Sequence, residues 1–212
     1  MPTATFQKLN PEKKEKLIQI AYQEFAQHNY ENASISRIVA AADMAKGSFY
    51  QYFGKEAKKD LYLYLIELAN RKKQEALGAI LRERFSDFFV MFRKMYEAGL
   101  SFDLENPLYS RFLTNVSLEK HSPDLGDLQQ LTKKQALEYF AQLIKNEQRK
   151  GIIRTDLSVE VIAFVVVQIG TGLLDFFYLK HASNSVEQAI EPHEISTVLE
   201  QVVEIMQHGL NN

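Results

Sequence analysis

The stretch Ile35 to Phe53, ISRIVAAADMAKGSFYQYF, decides the fold. Ile35, Ile38 and Val39 lay an apolar stripe along one short helix. Ala40, Ala41 and Ala42 permit close backbone approach, and Asp43 with Met44 marks a tight bend. A second helix then begins near Ala45 or Lys46. It buries Phe49 and Phe53 and presents Lys46, Ser48, Tyr50 and Gln51 on its other side. The basic run Lys55, Lys58 and Lys59 follows directly.

Two short helices meeting at a bend are what a helix-turn-helix requires. The second must enter a DNA major groove, so its leading residues should be small or able to hydrogen-bond. Gly47 removes a side chain where the groove floor would block one, and Ser48 carries a short hydroxyl suited to either kind of base edge. Tyr50, Gln51 and Tyr52 can reach phosphates or sugars as the helix leaves the groove, contacts that position a protein without reading sequence. Ser34 suits the N-cap of the first helix and can also approach a phosphate, with Ser36 and Arg37 beside it. The alternative for this stretch alone is an aromatic helix that packs into a core.

Net charge is −2 over 212 residues, which by itself argues against a nucleic-acid protein, but its distribution argues for one. Residues 1–84 hold 14 Lys or Arg against 10 Asp or Glu, whereas residues 85–212 hold 11 against 17. A modestly positive end suffices where phosphate contacts are few, and a dimer would present it twice.

From about Leu17 to Tyr62 the chain resembles the N-terminal domain of the TetR family of bacterial transcriptional regulators. The resemblance rests on Ile20, Ala21, Phe25 and Tyr30, on Ala33-Ser34-Ile35, on Ile38, Val39 and Ala42, on Lys46 to Phe53, and on Lys59-Asp60-Leu61-Tyr62. Departures are visible. Asp43 stands where the family usually has Gly, Ala45 where Ser or Thr often opens the recognition helix, and the segment from Gly54 to Lys59 is about two residues longer. Asp tolerates a left-handed backbone, whereas Ala45 cannot cap. One of Lys55, Lys58 and Lys59 takes the phosphate-contacting place that the resemblance implies.

The same likeness implies an all-α homodimer with a DNA-binding domain over residues 1–57 and a ligand-binding and dimerisation domain over 58–212. Double-stranded DNA with a palindromic operator, a second copy of the chain and a small organic effector are the implied partners. The implied activity is ligand-responsive regulation, as a repressor that a largely apolar effector releases. A helical small-molecule-binding or interaction protein with weak specific DNA binding is the alternative, kept open by Asp43, Ala45 and the longer segment after Phe53.

Working outward, residues 1–10 read as a flexible arm. Pro11 opens a helix that runs to about His28, with Glu12 and Glu15 near its start. A long helix is expected from Glu56 or Lys58 to Leu81, then a second from Phe85 to near Gly99. Asn106-Pro107 breaks the pattern before a shorter helix, and a long one from about Leu125 is stopped by Gly151. The apolar helix from Asp156 to His181 follows caps at Thr155 or Ser158, and an amphipathic helix spans His193 to His208. Gly170 and Gly172 lower the propensity of the first of these, which points to close backbone approach.

Phe88, Phe92, Met95, Tyr96, Phe112, Tyr139 and Phe176 are candidates to line an effector chamber by type and periodicity, with a solid core as the competing account. The resemblance places the dimer interface on the last two helices, with Val159, Ala163, Val166, Gly170, Leu174, Phe177, Ile195, Val198, Leu199, Val202 and Ile205 as candidates. No Cys is present, which excludes disulfides and thiolate chemistry. HExxH, Gly-rich phosphate-loop and GxSxG patterns are missing, so neither catalysis, metal nor cofactor is expected. His121, beside Pro123, is the one histidine near the expected chamber. Glu119 and Asp124 read as surface residues. The apolar run 161–174 is interrupted by Gln168 and falls short of a membrane span, so the cytoplasm is the expected compartment.

Overall fold

The computed structural model describes residues 2–83, 85, 87–119, 122, 124–126, 128–180 and 192–211. Among these it forms ten α-helices and no sheet, with β-like pairing confined to two isolated bridges. The chain divides into two compact units, residues 1–74 with 106–129 and residues 75–105 with 130–212.

The first unit contains α1 (Ala4–Gln7), α2 (Pro11–Gln27), α3 (Ile35–Ala41), α4 (Lys46–Phe53), the first part of α5 (Ala57–Leu81) and α7 (Pro107–Leu118). Pro11 opens α2 because its missing N–H costs nothing there, and Asn10 Oδ1 accepts from the Glu12 amide at 2.9 Å. Leu17, Ala21 and Phe25 turn inward from α2 and meet Tyr62 of α5 and Phe112 of α7. Ring centroids lie 4.9 Å apart for Phe25 and Tyr62 and 5.5 Å apart for Tyr62 and Phe112.

Polar bonds fix α7 and the loop after it to the same unit. Asn115 Nδ2 donates to the carbonyls of Phe25 and Ala26, both at 3.0 Å, which satisfies the last turn of α2. Glu119 accepts from the Tyr30 amide at 2.9 Å, and Ser122 Oγ donates to Glu31 at 2.6 Å. Half-buried Glu119 and exposed Asp124 therefore both hold Tyr30, Asp124 accepting from the Tyr30 hydroxyl at 3.4 Å.

The bend between α3 and α4 has a definite geometry. Asp43 adopts φ 52°, the amide of Met44 donates to Val39 O at 3.0 Å, and that of Asp43 donates to Ala40 O at 3.2 Å. These two bonds make a Schellman ending in which Asp occupies the left-handed position usually given to Gly. Residues 2–9 are no loose arm. They form α1 and bury Phe6 completely, a correction whose cause is the apolar slot at the end of α4.

The second unit contains the rest of α5, α6 (Phe88–Glu105), nearly all of α8 (Leu128–Arg149), α9 (Val159–Lys180) and α10 (Pro192–Leu210). Asp87 caps α6 through the amides of Phe89 and Val90 at 2.8 and 3.0 Å. That helix runs through Gly99 to Glu105, because one Gly in a packed helix costs only about 1 kcal/mol. Gly151 at φ 75° ends α8 in a second Schellman pattern, with Ile152 N donating to Glu147 O at 3.0 Å. Ser158 caps α9, its Oγ accepting from the Val161 amide at 3.3 Å.

By length and composition α9 passes as a membrane span over Val159–Phe177, which the run read from sequence did not. Ile162, Ala163, Val166, Val167, Leu173 and Phe177 are nevertheless buried against the unit's other helices. Gly170 is the point of close approach: a Cβ there would sit 1.8 Å from Tyr96 Oη. Around Gly172 the space is open.

Candidate DNA-reading surface

Helix α4 is held from its inner side. Phe49 and Phe53 are fully buried, their centroids 5.0 Å apart, so the opposite row must face outward. Lys46, Gly47, Tyr50 and Gln51 are exposed and Ser48 is half-buried. A Cβ at Gly47 would meet nothing within 4 Å, so the protein's own packing does not demand glycine there. A bare backbone on the outer row is what close approach of a second molecule needs.

The helix begins weakly and ends firmly. Ala45 occupies the N-cap with no side-chain bond, while Gly54 ends the helix at φ 73° and ψ −157°, a region essentially reserved for glycine. Its amide donates to Tyr50 O at 2.8 Å.

Among the other candidates the structure separates exposed groups from structural ones. Ser34 is the N-cap of α3, accepting from the Arg37 amide at 3.4 Å. Ser36 and Lys46 stand together, Lys46 Nζ donating to Ser36 Oγ at 3.4 Å. Tyr52 packs beside Phe6, with centroids 6.0 Å apart. Lys55 is exposed, whereas Lys58 donates to Glu31 O at 3.0 Å and stands over the Tyr30 ring at 4.7 Å. Lys59 forms a long ion pair with Glu56 at 3.9 Å.

Arg37 is engaged within the first unit. Its guanidinium holds Glu24 of α2 through two nitrogens, Nε at 2.9 Å among them, and also donates to Asn32 O at 2.8 Å. Glu24 accepts the Ser34 amide at 2.7 Å as well, so one nearly buried carboxylate ties α2 to the start of α3. Nothing in the sequence singled out Glu24. Burial pushes its carboxyl up, but the Arg37 hydrogen bonds, the Ser34 amide and the charges of Arg37 and His28 outweigh that and hold it below the ordinary Glu value.

A depressed folded-state value means that Glu24 stabilises the first unit above the ordinary Glu range and loses this contribution as pH falls through the lower, folded value. Glu24→Gln is expected to cost about 1–3 kcal/mol at neutral pH and to flatten the acid limb of the unfolding curve. Thermal melts of both proteins across the acid range measure this; parallel acid limbs would contradict it.

The effector candidates divide. Phe88, Phe92 and Tyr96 lie along α6, with centroids 6.1 Å apart for the first pair and 4.4 Å for the second, and Met95 is partly buried beside them. Burial pushes the Tyr96 phenol up to about 12, so it stays neutral and able to donate. Phe112 is absent from this group and belongs to the first unit's core, in contact with Tyr22, Phe25 and Tyr62. Tyr139 and Phe176 are each 46 % exposed.

The interface candidates divide by their exposure in the single chain. Ala163, Val166, Phe177, Ile195 and Leu199 are buried in this chain's own cores, because the apolar residues with the strongest period face inward first. Val159, Gly170, Val198 and Val202 are half-buried, and the side chain of Leu174 lies outside the described residues. Ile205 alone of the described candidates is strongly exposed, at 72 %. The exposed apolar row of α9 comprises Val161, Phe164, Val165, Phe176 and Leu179. His121 lies outside the described residues. Among the described residues no group of three or more His, Asp or Glu gathers as a metal site.

Comparison with known proteins agrees with this geometry. The model of bacterial regulatory proteins of the tetR family matches residues 17–65. A TetR family transcriptional regulator from Chloroflexus aurantiacus J-10-FL is 32 % identical, with 100 % of this chain and 99 % of that one covered and a TM-score of 0.80. A TetR-like transcriptional regulator from Rhodococcus sp. RHA1 shares the fold at 19 % identity, TM-score 0.69, covering 95 % of this chain and 98 % of the other. NalD, the secondary repressor of the MexAB-OprM multidrug efflux pump in Pseudomonas aeruginosa, shares it at 16 % identity, TM-score 0.70, with 96 % and 99 % covered. No curated protein matches the chain. A bend that closes on Asp43, an outward row from Lys46 to Gln51 and a full-length likeness above 30 % identity lead to one conclusion: the chain belongs to the TetR family of bacterial transcriptional regulators.

Proposed function

We propose that the chain is a cytoplasmic, ligand-responsive repressor that binds a palindromic operator as a homodimer and is released by a small, largely apolar effector. The observation that carries the reading is the outward row of α4, with Lys46, Gly47, Ser48, Tyr50 and Gln51 free of the buried Phe49 and Phe53. Ser48 and Gln51 read base edges, and Tyr50, Lys46 and the exposed Lys55 contact phosphates. Ser36 adds a hydroxyl from α3. Arg37, engaged with Glu24, orients the two helices. Lys58, held over Tyr30, leaves Lys55 and Lys59 as the phosphate-contacting lysines after α4.

The aromatic row Phe88, Phe92 and Tyr96, with the partly buried Met95, is the apolar surface of the second unit best suited to an apolar effector. Such an effector changes operator affinity only through its differential affinity for the DNA-competent and released states. The likeness to NalD, a repressor, favours repression over activation.

Two substitutions test the reading surface. Tyr50→Phe is expected to weaken operator binding roughly threefold to tenfold through loss of a phosphate hydrogen bond. Ser48→Ala is expected to alter preference at one base position per half-site and to leave binding to random duplex unchanged. Equal loss on all DNA for Ser48→Ala, or unchanged affinity for Tyr50→Phe, would remove those roles. Titrations at two salt concentrations separate phosphate from base contributions.

A further inference from the structure

Residues 2–9 precede the segment that carries the family likeness, yet they dock on the end of the recognition helix. Helix α4 has eight residues and no side-chain N-cap, so it would not persist by itself in water. Its last-turn carbonyls need donors. Gly54 supplies one to Tyr50 O, and Thr3 supplies the next two: its hydroxyl donates to Gln51 O and its amide to Tyr52 O, both at 2.8 Å.

The same residue starts α1. Thr3 Oγ1 accepts from the Phe6 amide at 3.5 Å, which aims the fully buried Phe6 ring between Phe53, Tyr64 and Tyr52, at centroid distances of 4.9, 5.6 and 6.0 Å. Lys14 secures α1 from α2, with Nζ 3.0 Å from Gln7 Oε1 and 5.0 Å from the Phe6 centroid.

We propose that residues 2–9 brace the recognition helix, with Thr3 and Phe6 as positioning residues for operator binding. The brace fixes the pitch of the turn that carries Tyr50 and Gln51, side chains that must meet a phosphate and a base edge within a fraction of an ångström. It compensates at the C-terminal end for the cap missing at Ala45. The inference rests on the DNA-binding reading above, but the state of α4 can be measured without DNA.

The test compares full-length wild type, Thr3→Val and Thr3→Ser. Val keeps the shape and the amide and removes only the hydroxyl; Ser restores it. Amide hydrogen exchange is measured in α4, α2 and α5, and affinity is measured for the operator enriched from random duplexes and for random duplex itself. In Thr3→Val, exchange in α4 is expected to quicken about tenfold with α2 and α5 unchanged. Operator affinity should fall threefold to tenfold with binding to random duplex unchanged, and Thr3→Ser should recover both. Unchanged exchange in α4 would overturn the brace. Faster exchange with unchanged operator affinity would overturn the positioning role. If wild type enriches no operator, the regulator reading fails, and the positioning role fails with it, while exchange still decides whether Thr3 braces the helix.

Discussion

Phe164→Asp is expected to give a folded monomer that has lost operator binding. Phe164 is 54 % exposed on α9, in a row with Val161 at 57 %, Val165 at 42 %, Phe176 at 46 % and Leu179 at 77 %. The opposite stripe of the helix, from Ile162 to Phe177, fills the chain's own cores. Under the proposed function this exposed apolar row is the surface expected to meet a second copy, since a palindrome would have two half-sites and each chain carries one α4. A carboxylate within that row would have to be desolvated without a partner when two copies meet. In the isolated chain Phe164 already faces water, so folding should be spared. Loss of the dimer removes the gain from binding two half-sites together, on the order of a hundredfold in affinity or more. Sedimentation and operator titration measure both effects. A dimer that persists in Phe164→Asp would move the interface elsewhere.

Gly170→Ala is expected to be the most destabilising single-methyl change in the second unit. The added Cβ would sit 1.8 Å from Tyr96 Oη and 2.2 Å from Cζ, closer than any real contact. The ring is restrained from swinging aside by its packing on Phe92 at a centroid distance of 4.4 Å. Overpacking of this kind costs about 1–3 kcal/mol, several degrees in thermal midpoint for a chain of this size. Gly172, two residues on, provides the contrast. Nothing lies within 4 Å of its Cβ position, so Gly172→Ala is expected to stabilise by up to about 1 kcal/mol through helix propensity. Thermal melts of the two variants should therefore shift in opposite directions. A common direction would show that the Tyr96 contact does not govern the site.

The helix-turn-helix was legible because its signals are local. The stripe of Ile35, Ile38 and Val39 and the aromatic spacing of Phe49 and Phe53 sit within twenty residues, and α3 and α4 form where those periods place them. Pro11, Gly151 and Ser158 likewise act on their own turns. What escaped depends on partners far along the chain. Phe6 is buried by Phe53 and Tyr64, Glu24 is defined by Arg37, and Glu119 and Asp124 are set by Tyr30. Phe112 shares the helical period of a chamber wall, but its neighbours are Tyr22, Phe25 and Tyr62.

The two sides of α9 were not separable for a different reason. That helix is apolar on both sides, so periodicity identifies a buried stripe without saying which stripe the chain uses for itself. Ala163, Val166 and Phe177, with the strongest period, lie in the chain's own cores. Signals of the missed contacts did exist. Thr3 stands three residues before Phe6, a capping spacing, and Phe6 is the single large apolar side chain between Met1 and Leu9.

The most direct test of the account is selection of random double-stranded DNA by the purified full-length protein at near-physiological salt, followed by measurement of affinity and stoichiometry on the enriched duplex. The account predicts a palindrome with two half-sites about one helical turn apart or a multiple of it, bound by two chains, with affinity that falls steeply as salt rises. Folded protein that enriches no sequence, or that binds a single half-site as one chain, would contradict it.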